Sequence, residues 1–162
     1  MDEVDQILAS WATELPDLDA SPLASLSRIS RLARHLDRAR SEAFAAAELE
    51  PWEFDVLAAL RRHGAPYELS PGELIHETLS TSGTMTNRVN RLAERGLVVR
   101  KPNAADRRGV LVRLTTDGRH RVQVAMTALL SFEREVLEPI TPAQREELAD
   151  LLRTLLAPFE RA

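Results

Sequence analysis

The stretch from Thr81 to Arg113 concentrates the side chains that could bind a polyanion. It holds eight basic residues against Glu94 and Asp106, a net charge of +6, whereas the 162-residue chain carries −4 and its remainder therefore −10. Lys and Arg hold backbone phosphates, so a basic segment in an acidic protein is the electrostatic footprint expected of nucleic-acid binding. A solvated, salt-bridged face is the alternative. The basic residues are Arg88, Arg91, Arg95, Arg100, Lys101, Arg107, Arg108 and Arg113.

Short polar side chains accompany these charges on one predicted helix. Met85, Val89 and Leu92 share an apolar face of that helix, so this face is expected to lie on the core. The beginning of the helix carries small donors and acceptors that suit base edges in a major groove about 12 Å wide. Ordinary polarity at a helix start is the alternative. The candidate DNA-contacting residues of this helix are Ser82, Thr84, Thr86, Asn87, Arg91 and Arg95.

Two short helices and a hairpin are predicted to position these side chains. A capping box at Ser70–Glu73 begins a helix that runs to about Glu77, and a break at 78–80 leads to a helix over 81–95, which Gly96 stops. Two helices joined in this way form a helix-turn-helix. The aliphatic runs 97–100 and 110–114, separated by Pro, Asn and Gly, predict a two-stranded hairpin, the wing.

Amphipathic helices are predicted on both sides of this unit. They cover 4–14, a segment that begins at Ser21-Pro22 with Ser21 as its N-cap, and a segment from Pro51 to near Gly64 in which Trp52 is one of the apolar positions. Further helices are predicted over 116–137 and in a last segment with Thr141 as its N-cap. The last helix carries a wide apolar stripe, which either packs on its own chain or pairs with a second copy. The stripe consists of Leu148, Leu151, Leu152, Leu155, Leu156 and Phe159.

The predicted fold is mainly α with a small β-hairpin wing, a winged helix-turn-helix flanked by N- and C-terminal dimerisation helices. We expect one domain over 1–162, with helices for dimerisation at 1–49 and 119–162 and the winged unit at 50–118.

Other functional classes find little support in the sequence. Cysteine is absent, and His35, His63, His76 and His120 lie in different segments without metal-ligand spacing. No glycine-rich phosphate loop or nucleophile elbow occurs, so we expect neither an enzyme nor a cofactor. No apolar run reaches the length of a membrane span and the acidic start is unlike a signal peptide, so a cytoplasmic protein without a membrane partner is expected. A winged helix that binds only protein is the remaining alternative.

The wing sequence Asp106-Arg107-Arg108 through Leu114-Thr115 resembles the D-x-R signature and following Leu-Thr of the MarR family of transcriptional regulators. The segments 84–92 and 95–100 are similar to that family's recognition helix and first wing strand. The resemblance implies a homodimeric regulator, expected to be a repressor, whose recognition helices enter successive major grooves of a palindromic operator. Arg108 would then reach the minor groove, where negative potential is concentrated, with Asp106 orienting it and Arg107 beside it. A plain surface salt bridge between Asp106 and Arg108 is the alternative.

Four further residues resemble the PecS-like, urate-responsive branch of the family, namely Trp11, Asp55, Arg88 and Arg100. The resemblance implies that they bind a small anionic ligand such as urate, which repels Asp55, disturbs its coupling to Arg88 and weakens DNA binding. Two arginines and an indole could clamp a planar anion. A small carboxylate or phenolic acid is the alternative ligand, and a buried ion pair of Asp55 with Arg88 or Arg100 is the purely structural alternative.

Overall fold

The computed structural model describes residues 1–103 and 106–160, except for the side chains of residues 106–108. Helix α1 (Glu3–Glu14) begins at a capping box in which Asp2 accepts from the amide of Asp5, and it packs on α2 (Leu23–Ala46). The start of α2 differs slightly from the prediction. Pro22 occupies the N-cap position without a side-chain hydrogen bond, so Ser21 is not the cap.

The helix-turn-helix lies on α3 (Pro51–Arg62), whose residues are more thoroughly buried than those of the flanking helices. It is formed by α4 (Pro71–Thr78) and α5 (Ser82–Glu94). The capping box at Ser70 is confirmed, since the side chain of Glu73 accepts from the amide of Ser70 at 2.7 Å. A proline at the first position and a satisfied cap fix where α4 begins, and α4 in turn fixes the approach of α5.

The wing is a three-stranded antiparallel sheet with the order β1-β3-β2. The predicted hairpin is confirmed as β2 (Val98–Asn103) and β3 (Asp106–Leu114), with Arg100 opposite Val112. The third strand, β1 (Glu68–Leu69), was not predicted and adds to the far edge of β3. A mainly helical fold with a small β wing is therefore confirmed.

Two long helices complete the chain, α6 (Thr116–Leu137) and α7 (Pro142–Glu160). Helix α6 begins where Thr115 caps the amide of Gly118 at 3.0 Å. The apolar core joins residues of α2, α3, α4, α5, α6 and the sheet. None of the residues of α7 is buried. Among the residues that the structure describes, no helix has the length and apolar character required to cross a membrane.

Candidate nucleic-acid interface

Helix α5 buries one face and exposes another. Met85, Val89 and Leu92 are each at most 1% exposed, as their spacing predicts. The four predicted short polar contacts lie on the exposed surface of the helix. They are Ser82, Thr84, Thr86 and Asn87.

The beginning of α5 is capped and open to solvent. Thr81 is the N-cap, with its hydroxyl accepting from the amide of Thr84 at 3.4 Å and donating to the Thr84 hydroxyl at 2.9 Å. A Cβ placed on Gly83 would meet no atom within 4 Å. An exposed helix start with free space around Gly83 leaves room for a large polar partner such as a DNA groove.

The far end of α5 is tied to the first turn of α3 by a charge pair. Arg95 pairs with Glu53, which is completely buried, and donates to the carbonyl of Glu48 at 2.6 Å. The same Glu53 oxygen accepts from the amide of Glu50 at 2.9 Å. The DNA role predicted for Arg95 remains a prediction, and the structure supplies its guanidinium with internal acceptors. Glu53 and Arg95 are 42 residues apart in the sequence, so no local spacing pattern predicts this pair.

The middle of α5 is held against Trp52, in the first turn of α3. The guanidinium carbon of Arg91 lies 4.8 Å from the centre of the indole ring and that of Arg88 lies 5.7 Å from it. Glu50 accepts from the indole N–H and pairs with Arg91 at 3.2 Å. We call Glu50, Trp52, Arg88 and Arg91 the Trp52 cluster. Trp52 and the two arginines line a shallow cavity with Thr84 and Asn87. Sequence reasoning treated Trp52 only as an apolar helix position and missed the cluster.

The wing places its basic residues in two environments. Arg113 pairs with Glu68 of β1 at 2.6 Å, and this hydrogen bond holds the pKa of Glu68 below its usual value. Arg100 is exposed on β2 and, among the described residues, has no charged partner. Asp106, Arg107 and Arg108 belong to β3, but their side chains lie outside the described residues, so their roles remain predictions.

Among the described residues, no hydrogen bond, ion pair or ring contact joins the four predicted ligand-binding residues to one another within one chain. Trp11 lies exposed on α1, and Asp55 is half exposed, with Arg40 of α2 as its ion-pair partner at 3.9 Å. Arg88 stacks on Trp52, and Arg100 lies on the wing. Asp55 therefore does not form a buried ion pair with Arg88 or Arg100. It lines a cleft of about 490 Å³ between α2, α3 and α6, with Arg40, Arg61 and Arg62.

Comparison with known proteins assigns this architecture. The sequence profile of the MarR family matches residues 47–109, from the end of α2 into the wing. The regulator PecS of Dickeya dadantii is 35% identical over 150 residues, which cover 93% of this chain and 90% of PecS. The chain belongs to the MarR family. Members of this family are DNA-binding transcriptional regulators and not enzymes, and the likeness to PecS supports the PecS-like branch.

Solved structures of MarR-family proteins show the same fold, and two of them concern operator DNA and a small-molecule regulator. A mutant of MarR from Escherichia coli in complex with operator DNA has a TM-score of 0.68 and 26% identity, covering 90% of this chain and 97% of that one. BpsR of Bordetella bronchiseptica, whose DNA binding is regulated by 6-hydroxynicotinic acid, has a TM-score of 0.59 and 28% identity, covering 79% and 98%. This MarR-family chain is thus a DNA-binding regulator of a family in which some members respond to small molecules.

Proposed function

We propose that this chain represses transcription as a homodimer that binds a palindromic operator and is released by a small anionic ligand. The observation that carries the dimer is α7, which has no buried residue although its apolar stripe includes Leu151 and Leu155, 57% and 50% exposed. Large exposed apolar surfaces of this kind favour association. Leu26, Ile29 and Leu32 of α2 add further exposed apolar area, so the helices proposed for dimerisation lie at both ends of the chain.

We assign operator contact to the exposed face of α5 and to the wing. In this assignment Ser82, Thr84, Thr86 and Asn87 meet bases or phosphates, Arg91 binds near them and Arg108 enters the minor groove. Two copies of α5 related by a two-fold axis would read two half-sites about one helical turn apart. Occupation of a promoter by the dimer would exclude RNA polymerase, which is the physical basis of the proposed repression.

A gel-shift titration with the DNA upstream of the protein's own gene tests this assignment. Because phosphate contacts release counterions, the affinity should fall steeply as salt rises. Arg108→Ala should weaken operator binding by about tenfold to a hundredfold, as loss of a groove-bound guanidinium does. Arg153→Ala, which removes an arginine 73% exposed on α7, is the matched control and should leave affinity unchanged. Equal affinity of the two variants would refute the role of Arg108 in the wing.

We propose further that Trp11, Asp55, Arg88 and Arg100 respond to the ligand, for which urate is the first candidate and a small carboxylate or phenolic acid the second. The open cleft beside Asp55 is lined by three arginines against two carboxylates, those of Asp55 and Glu133, and this excess of positive charge supports an anionic ligand near the aspartate. An anion held there would repel Asp55 and shift the helices that meet at the cleft, and release follows only if the ligand binds the DNA-free state more tightly.

Titration of urate against the operator complex tests the ligand proposal. Urate should release the DNA from the wild-type protein, and Arg100→Ala should require more urate for the same release, whereas Arg153→Ala should behave as wild type. If urate does not release the DNA but 6-hydroxynicotinic acid or salicylate does, the ligand is a carboxylate or phenolic acid and not urate. Equal release from Arg100→Ala and wild type would remove Arg100 from the site.

A further inference from the structure

The Trp52 cluster joins the first turn of α3 to the exposed face of the recognition helix. Trp52 is partly buried against the apolar core, and its ring also carries the guanidinium groups of Arg88 and Arg91. Glu50 binds both the indole N–H and Arg91, so it fixes the plane of the ring and the direction of one arginine together.

This arrangement restricts two long side chains that would otherwise sample many rotamers. The side chain of Arg91 is 53% exposed, and an arginine so exposed normally loses considerable rotamer entropy when it binds a partner. Stacking on an aromatic face stabilises a guanidinium by cation–π attraction while leaving its N–H groups at the ring edge free to donate. An arginine held in this way pays less entropy on binding and arrives at a defined position.

We propose that Trp52, fixed by Glu50, is a positioning residue for operator recognition, because its indole directs Arg91 and Arg88 at the exposed face of α5. The inference rests on the proposed contact of Arg91 with the operator. Removal of Trp52 leaves the net charge unchanged, so general attraction to phosphates is preserved. Contacts that depend on the placement of a guanidinium are weakened. Trp52 therefore sets the ratio of operator affinity to non-specific affinity.

The shared indole also places the proposed ligand-sensing Arg88 and the proposed DNA-contacting Arg91 on one support. Their guanidinium carbons lie 5.7 and 4.8 Å from the same ring centre. A change at one arginine therefore alters the stacking available to the other.

The experiment measures the affinity of Trp52→Leu and Trp52→Phe for operator DNA and for an unrelated duplex, in the wild-type and Arg91→Ala backgrounds. Trp52→Leu should lower operator affinity by about tenfold, which is within the range of one cation–π contact, and change non-specific affinity by less than about twofold. Trp52→Phe keeps an aromatic face and should recover part of the loss. In the Arg91→Ala background, the effect of Trp52→Leu should fall to less than about twofold, because the arginine that Trp52 directs at the operator is absent.

Four outcomes would overturn the proposed role of Trp52. Loss of operator and non-specific affinity in equal measure, or an undiminished effect of Trp52→Leu in the Arg91→Ala background, overturns the role of Trp52 and leaves the proposed function intact. Unchanged operator affinity of Arg91→Ala overturns both the role of Trp52 and the contact on which it rests. If Trp52→Leu fails to fold, the NMR signal of the Trp52 indole N–H in the wild-type protein serves as the measurement instead. The signal is assigned by its absence from the spectrum of Trp52→Phe. That signal should shift on operator binding and on Arg91→Ala, and an unmoved signal overturns the inference.

Discussion

The recognition helix α5 and the terminal helix α7 differ in how the chain supports them. Helix α5 is short, yet its buried face, its cap and three side chains of the first turn of α3 hold it in place. Helix α7 is 19 residues long and has an apolar stripe, yet none of its residues is buried. The helix proposed to read DNA thus receives its support within one chain, whereas α7 exposes the surface that a second copy would cover in the proposed dimer.

The two helices also differ in how far the contacts that support them can be predicted from local sequence. The apolar stripe of α7 is visible at helical spacing, and so is the buried face of α5. The support of α5 comes from residues 36–42 positions earlier, at Glu50, Trp52 and Glu53. The following predictions test whether α5 depends on its own chain and α7 on a partner.

A charge in the apolar stripe of α7 should have the largest effect. Leu155→Asp should convert the dimer to a monomer and lower operator affinity by more than about a hundredfold, because a bivalent contact becomes a single one. Light scattering and gel shift measure the two effects. Thr154→Asp adds the same charge on the exposed polar face of α7, beside Asp150, and should remain dimeric. A Leu155→Asp protein that stays dimeric would show that α7 is not the interface.

Removal of the buried carboxylate under α5 should have the next largest effect. Glu53→Ala should lower the free energy of unfolding by about 2–4 kcal/mol, since it removes the buried carboxylate that accepts from the amide of Glu50 and from Arg95, which keeps only the carbonyl of Glu48. Urea denaturation measures this loss, and Glu94→Ala, on the exposed surface of α5, should cost less than about 0.5 kcal/mol. Equal stability of the two variants would mean that the charge pair does not support α5.

The joint between the wing and α6 should be sensitive to a single methyl group. A Cβ at Gly118 would lie 2.2 Å from the carbonyl oxygen of Leu97, so Gly118→Ala should lower the free energy of unfolding by about 1–3 kcal/mol. Gly83→Ala is the matched control, since space is free around Gly83, and it should raise that free energy by about 0.5–1 kcal/mol. A neutral Gly118→Ala in thermal unfolding would show that the joint relaxes easily.

The sequence predicts helix boundaries well at Pro51, Ser70 and Thr141, where a cap or proline marks them, whereas the cap predicted at Ser21 is wrong by one residue. It does not predict β1, because two residues are too few to show the alternation of a strand. The charge pairs were missed for another reason. Glu53 lies 42 residues before Arg95, and Asp55 lies 15 residues after Arg40, so only the folded chain brings each pair together.

Some features of the candidate site can likewise be predicted from local sequence and others cannot. The exposed polar face of α5 follows from the helical position of each residue relative to Met85 and Leu92. The contacts of Trp52 do not follow from its helical position, because an indole on an amphipathic helix has the same sequence pattern whether it packs on the core or carries arginines. The structure shows that it does both.

The smallest predicted effect concerns the attachment of α1 to α2 by exposed ion pairs. Arg28 binds Asp2 at 2.8 Å and Asp5 at 2.7 Å. The pKa of Asp2 is lowered, first by its hydrogen bond with Arg28, and that of Asp5 is lowered by the amide of Asp2 and then by Arg28. Carboxylates with a lowered folded-state pKa contribute to docking above the ordinary value of 3.8, and the contribution disappears as the pH falls through the lowered pKa.

The NMR signal of the Trp11 indole N–H should therefore stay constant from pH 7 down to about 4 and move below it, in advance of the Trp52 signal that reports global unfolding. In Arg28→Gln, the Trp11 signal should already be displaced at pH 7 and should titrate less, because both carboxylates have lost their shared partner. Movement of the wild-type signal well above pH 4, or identical titrations of the two proteins, would show that other contacts hold α1. In that case the ion pair of Glu3 with Arg31 and the buried side chain of Val4 would be the contacts that hold α1 on α2.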